Sequence, residues 1–115
     1  MNPTTIDGET FSALRDTTGG EFVRELIDTF LTEAPGMLSD LRDALDSGEA
    51  DRFRRAAHSL KSNANTFGAL NLGNLAKDLE LSGVAAVKAR GPAALASIEA
   101  EYLRVAADLK SLHDE

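Results

Sequence analysis

Apolar residues recur at spacings of three and four along most of this chain, and no stretch sustains an alternation of period two. That pattern predicts helices and no strands. Ile6, Phe11 and Leu14 suggest a short first helix over 8–16, broken by the run Thr17-Thr18-Gly19-Gly20. Phe22, Leu26, Phe30, Leu31, Met37, Leu38, Leu41 and Leu45 trace a long segment over 21–46. Pro35-Gly36 lies in its middle and is expected to kink or split it. The stretch "DSGEAD" marks the next turn, with Ser47 or Gly48 near a helix start and Glu49 and Asp51 in its first turn, where the helix dipole favours acids.

A third helix is expected over 50–66, stopped by Gly68. Asn71 is the expected cap of a fourth, which carries Leu72, Leu75, Ala76 and Leu79 and should fray between Gly83 and Arg90. Gly91-Pro92 signals a fresh start, with proline at the first helical position of a last helix bearing Leu95, Ile98, Tyr102, Val105, Ala106 and Leu109. Four long amphipathic segments joined by short turns predict an all-α fold. Its expected form is an antiparallel four-helix bundle with an additional short N-terminal helix, in a single domain over 1–115.

Composition narrows the function. Twelve Lys and Arg against nineteen Asp and Glu give a net charge of −7, which disfavours nucleic acid as a partner. Cysteine is absent, so disulfides, thiol catalysis and thiolate metal sites are excluded. The N-terminus, "MNPTTIDGET", lacks the cationic start and apolar run of a signal peptide, and apolar runs such as "GVAAVKA" are too short to span a membrane. The expectation is a cytoplasmic, monomeric protein.

Two histidines remain as candidate chemistry. His113, near the end of the last helix, reads as a frayed surface residue. His58 is different. Phe53, Ala56, Leu60, Ala64 and Phe67 form one stripe of its helix, and His58 lies on the opposite side among Arg54, Arg55, Lys61, Ser62 and Asn65. It should be exposed. A solvated histidine with no task is the plain reading, and periodicity alone does not exclude it.

A metal site is disfavoured: bundle metal sites use inward Glu-x-x-His pairs, whereas Arg55 and Lys110 stand three residues before the two histidines. A serine triad would need an oxyanion hole and a cleft. A neutral imidazole among cations does suit a phosphoryl group. Lys61, one turn along, can pair with phosphoryl oxygens, while Arg54 and Arg55 add a softer positive field. The small Ala57, Ser62, Ala64 and Asn65 leave room for a partner's active site.

The string "AHSLKSNANTFGA", residues 57–69, resembles the histidine-containing phosphotransfer domain of phosphorelays. That family's motif reads approximately A-H-x-L-K-G-[SA]-[SA]-x-x-[LF]-G-A. Ala57, His58, Leu60, Lys61, Ala64, Phe67, Gly68 and Ala69 match it in register. Leu72, Leu75, Ala76, Leu79 and Glu80 then fit the next helix's L-x-x-L-[CA]-x-x-L-E, and "FLTEAP" followed by an acidic-glycine turn fits the helix before. The resemblance covers nearly the whole chain and implies a four-helix bundle.

It also implies that His58 accepts and donates a phosphoryl group and that Lys61 lies beside that group. Arg54, Arg55, Ser62, Asn65 and Gly68 are the expected docking residues, although Gly68 and the alanines have a structural reading too. Ser62 departs from the family, which usually has glycine there, and Asn63 replaces serine or alanine. The implied partners are receiver domains of response regulators and a hybrid sensor kinase. Mg²⁺ is expected on the receiver only, with no cofactor, no metal and no ATP-using activity here. No Gly-rich phosphate loop appears, since "TTGG" lacks the following Lys-Ser/Thr. The competing reading is a helical adaptor that docks a receiver and transfers nothing. Glu80 is read either as a neighbour of His58 across the bundle or as a solvated surface acid.

Overall fold

Helix begins at Gly8 and occupies most of the chain from there on. The structure, a computed structural model, describes residues 5–114, so the outermost ends of the expected domain, 1–4 and 115, lie outside the described residues. Five helices run in order: α1 (Gly8–Thr18), α2 (Gly20–Ser47), α3 (Ala50–Phe67), α4 (Leu70–Lys88) and α5 (Ala96–His113). No strand occurs among the described residues. The expected bundle of four long helices with a short helix before it is the observed architecture, and no helix is long and apolar enough to cross a membrane.

The core is built from one stripe of each helix. Phe30 of α2 sits at its centre, with ring centroids 5.5 Å from Phe67 of α3 and 6.0 Å from Tyr102 of α5. Ile27, Leu41, Phe53, Leu60, Leu72, Val105 and Leu109 are fully buried around it. Ile6 and Phe11 bring α1 and its lead-in onto the same core.

Proline does not split α2. Pro35 has no N–H for the Leu31 carbonyl, a defect of roughly 3 kcal/mol. Val23, Ile27, Phe30, Ala34, Leu41 and Ala44 are buried on both sides of it. At about 1.5–3 kcal/mol for each large apolar side chain, that burial outweighs one missing bond. The turn after it also differs from expectation. Ser47 closes α2, Gly48 caps it in the left-handed conformation, and Glu49 stands at the N-cap of α3.

Gly68 ends α3 as expected, with φ 84°. Its carbonyl accepts from the Asp7 N–H at 2.8 Å, and a Cβ here would lie 2.9 Å from the Asp7 carbonyl and the Thr10 Cβ. Asp7 itself caps α1 by accepting from the Thr10 N–H. The lead into α1 is thereby fastened to the end of the histidine helix.

Asn71 does not cap α4. Only Gly68 and Ala69 separate α3 from α4, and Ala69, fully buried, takes the N-cap position without a side-chain cap. The expected fraying beyond Gly83 is instead a kink: Gly83 takes φ 84°, ψ 164°, and helix resumes to Lys88 because Val87 is buried. Pro92 is not the first residue of α5. Residues 92–95 form turns, with the Ala94 N–H bonded to the Gly91 carbonyl and the Ala96 N–H to the Ala93 carbonyl, and α5 starts once Leu95 has entered the core.

His113 is not frayed. Its Nε2 lies 3.1 Å from Asp28 of α2, and its carbonyl accepts from Arg24 Nε at 3.2 Å. These contacts tie the end of α5 to α2.

Candidate functional site

The site lies halfway along α3, where the helical hairpin with α4 is already closed. The apolar stripe Phe53, Ala56, Leu60, Ala64 and Phe67 is buried as the periodicity predicts. His58 is on the opposite side, with 56% of its side chain exposed. Ala57 and Ala64 belong to the core at 0% exposure, so they leave no space at the surface for a partner.

A single carboxylate organises this face. Glu80 of α4 places Oε2 2.8 Å from His58 Nδ1 and accepts from Lys61 Nζ at 2.7 Å through Oε1. Its side chain is only 14% exposed, which rules out the reading as a freely solvated acid. The hydrogen bond from Lys61 is the main reason its carboxyl is held below the usual range, with the His58 contact adding to it. Glu80 is therefore an anion and an acceptor, and the His58 atom facing it, Nδ1, carries the ring proton. Nε2 is the nitrogen that keeps its lone pair. A neutral imidazole held in that tautomer is a nucleophile at Nε2.

The approach between α3 and α4 has a steric basis. Asn65 lies over Gly73 of α4 so closely that a Cβ there would fall 2.1 Å from Asn65 Oδ1. A side chain at position 73 would require the exposed Asn65 side chain to move aside.

The expected positive field from Arg54 and Arg55 is reduced by one shared acid. Arg54 Nη2 lies 2.8 Å and Arg55 Nε 3.1 Å from the Asp51 carboxylate, one turn nearer the helix start. The i+3 and i+4 spacings from Asp51 in the sequence carry this pairing. Lys61 is the cation in direct register with the imidazole, through Glu80. Ser62 and Asn65 are exposed on the same face, whereas Gly68 is buried under Asp7 and Thr10 and serves the fold rather than a docking surface. A groove of about 430 Å³, lined by Met37, Asp40, Arg52, Arg55, Ala56 and Ser59, runs between α2 and α3 beside His58. No cluster of acids and histidines suited to a metal occurs among the described residues.

An exposed histidine, in contact with an acid on the next helix, sits in a five-helix all-α chain. The sequence pattern of the Hpt domain matches residues 25–114. The chain belongs to the Hpt domain family. Hpt domains are phosphocarriers rather than kinases, and they relay phosphoryl groups with receiver domains in two-component signalling. In structure this Hpt domain is similar to the histidine-containing phosphotransfer protein B (HptB) from Pseudomonas aeruginosa PAO1, with a TM-score of 0.87 and 29% identity over 99% of this chain and 97% of that one. Among curated proteins no sequence matches.

Two residues carry more at this site than the sequence alone conveys. Glu80 has two open readings in sequence, because periodicity along α4 does not say which of its flanks meets α3. Asp51 reads in sequence as a first-turn acid, and its spacing to Arg54 and Arg55 is the signal for its capture of both.

Proposed function

We propose that this Hpt domain carries its phosphoryl group on Nε2 of His58, between aspartates of receiver domains. The observation that carries the reading is the Glu80 contact to Nδ1, which leaves Nε2 as the nucleophile on an exposed helix face. In the accepting step the Nε2 lone pair forms a bond to phosphorus. The bond from phosphorus to the aspartyl oxygen breaks, and its electron pair leaves with the carboxylate. The Nδ1 proton stays in place. Lys61, 2.7 Å from Glu80, is close enough to turn its ammonium toward the arriving phosphoryl oxygens.

The receiver brings the aspartate and Mg²⁺, so this chain needs no nucleotide or metal of its own. The groove between α2 and α3, together with Ser62 and Asn65, is the surface that a receiver would cover, and Arg54 and Arg55 act there as ion-paired rim residues. Ser62 adds a hydroxymethyl group beside the histidine and narrows which receivers fit. Such exchange belongs in the cytoplasm, where receivers and sensor kinases meet, and a monomer suffices for it.

The test mixes the protein with a phosphorylated receiver and Mg²⁺ and tracks transfer of label. Acid-labile, alkali-stable label is expected on the wild type and none on His58→Gln. Label that persists on the variant would overturn the assignment. Receiver binding without transfer to the wild type, across a panel of receivers, would instead make the protein a docking adaptor.

A further inference from the structure

Where the family usually has glycine, this chain carries Ser62, one turn after His58 and exposed. Its hydroxyl makes no hydrogen bond among the described residues. Thr66, a further turn along, shows the ordinary use of a helix hydroxyl, donating to the Ser62 carbonyl at 3.0 Å. We infer that the Ser62 hydroxyl donates a hydrogen bond to the phosphoryl group on His58, and so favours its retention by this chain in exchange with a receiver. This rests on Nε2 of His58 being the acceptor and adds a residue that touches the accepted group.

The helix puts Lys61 and Ser62 on different flanks of the histidine. At about 100° per residue, three residues fall about 60° short of a full turn and four pass it by about 40°. Lys61, on the short side, reaches Glu80 of α4 at 2.7 Å. Ser62 therefore stands on the other flank, toward α2, as do Arg55 and Ser59, which line the groove there. Glu80 meets Nδ1 from the α4 side at 2.8 Å. The two ring nitrogens point to opposite sides of an imidazole, so a phosphoryl group on Nε2 projects away from α4, to the flank of Ser62. Residues four apart on a helix have Cβ atoms about 5–6 Å apart, and the Cβ bond tilts toward the helix start, which leans Ser62 back toward His58. Arg55 is held by Asp51 at 3.1 Å, and Ser59, adjacent in sequence, does not share the histidine's face.

A hydroxyl donating to a phosphoryl oxygen forms a short, charge-assisted bond. That bond exists only while His58 is phosphorylated, so it lowers the free energy of phosphohistidine and leaves the free histidine untouched. In exchange, a receiver carboxylate oxygen bonds to phosphorus, the bond to Nε2 breaks with its electron pair returning to the ring, and the Ser62 hydroxyl goes back to water. A hydrogen bond that the group has here and loses on leaving shifts the equilibrium toward this chain. Docking acts differently. The fit of a receiver changes the forward and reverse rates alike, and leaves the equilibrium between the separated proteins where it was. Position 62 therefore has two separable effects: its bulk acts on rates and its hydroxyl on the partition.

The experiment loads the wild type, Ser62→Ala, Ser62→Gly and Ser62→Thr with phosphoramidate, whose nitrogen–phosphorus bond breaks as ammonia leaves and the bond from Nε2 to phosphorus forms. Phosphorus NMR reads the phosphohistidine resonance with no receiver present. It should shift in Ser62→Ala and Ser62→Gly and stay near the wild-type position in Ser62→Thr. Each loaded protein is then mixed with one receiver domain and Mg²⁺, and the phosphoryl group on each partner is measured at equilibrium. The equilibrium should move toward the receiver by about three- to tenfold in Ser62→Ala and Ser62→Gly alike, and by less in Ser62→Thr. Coincident resonances and equal partition in wild type and Ser62→Ala would overturn the inference. So would a partition changed in Ser62→Gly alone, which would trace to size. A wild type that takes no phosphoryl group on His58 would overturn the assignment of the acceptor itself, and the inference with it.

Discussion

Lys61 has one partner at rest and a different one in prospect. Its ammonium neutralises Glu80 in the structure, and the proposed reaction requires it to meet phosphoryl oxygens as well. Lys61→Ala should therefore slow transfer from a phosphorylated receiver by on the order of 10²-fold, the scale seen when one preorganised charge-stabilising donor is removed. Rapid-mixing assays of label transfer check this, with helical content unchanged by circular dichroism. An undiminished rate would make Lys61 a prop for Glu80 alone. At this scale the exposure of His58 was legible in the sequence, since it results from the burial of Phe53, Leu60 and Phe67 on the other side of the helix. Its contact with Glu80 was not, because it depends on how two helices pack.

Among the elements, α2 and α5 carry the clearest disagreements between local signals and packing. Pro35 lacks a helix hydrogen bond and is exposed, so Pro35→Ala should stabilise the protein, by up to roughly 3 kcal/mol, in urea unfolding. A loss of stability would show that the ring's contact with its neighbours matters more than the missing bond. The sequence rule for proline was sound locally, but apolar burial on both sides of residue 35 overrode it. Asn71 and Pro92 failed as helix starts for a related reason: buried Ala69 and Leu95 set where the flanking helices begin.

His113 ties the end of α5 to α2, and its affinity for a proton is raised, first by Asp114 and then by Asp28. A group whose folded pKa is raised stabilises the fold fully below its ordinary value of 6.5, and that contribution is lost as pH rises through the raised value. The stability difference between wild type and His113→Gln should be larger at about pH 5.5 than at about pH 8.5. Urea unfolding at both pH values checks the sign, and an equal difference would mean that the Arg24 bond to the carbonyl does the tethering.

Across the whole molecule, α2 sets the dimensions. Its 28 residues at about 1.5 Å each account for the 41 Å long axis, and the other helices pack along it. Phe30 joins α2, α3 and α5 through two ring contacts. Phe30→Ala should cost about 3–5 kcal/mol, read as a lower urea midpoint with the slope retained. A loss below about 1 kcal/mol would mean that the three helices close over the gap. The bundle itself was legible, because four apolar stripes with short connections leave few other ways to bury them. The order of the helix flanks around the core was not, since periodicity marks the buried side of a helix but not its neighbour.

The two-residue link at Gly68 and Ala69 has a consequence for descent. His58, Lys61 and Glu80 all lie on the two helices it joins, within 22 residues of one another along the chain. The reactive group is thus a property of one hairpin. Mutations in α1, α2 and α5 are free to accumulate as long as they keep the hairpin's apolar side covered. If receivers dock on the groove beside α2 as proposed, lineages of this chain can exchange one receiver for another through α2 while inheriting the proposed phosphoryl chemistry intact.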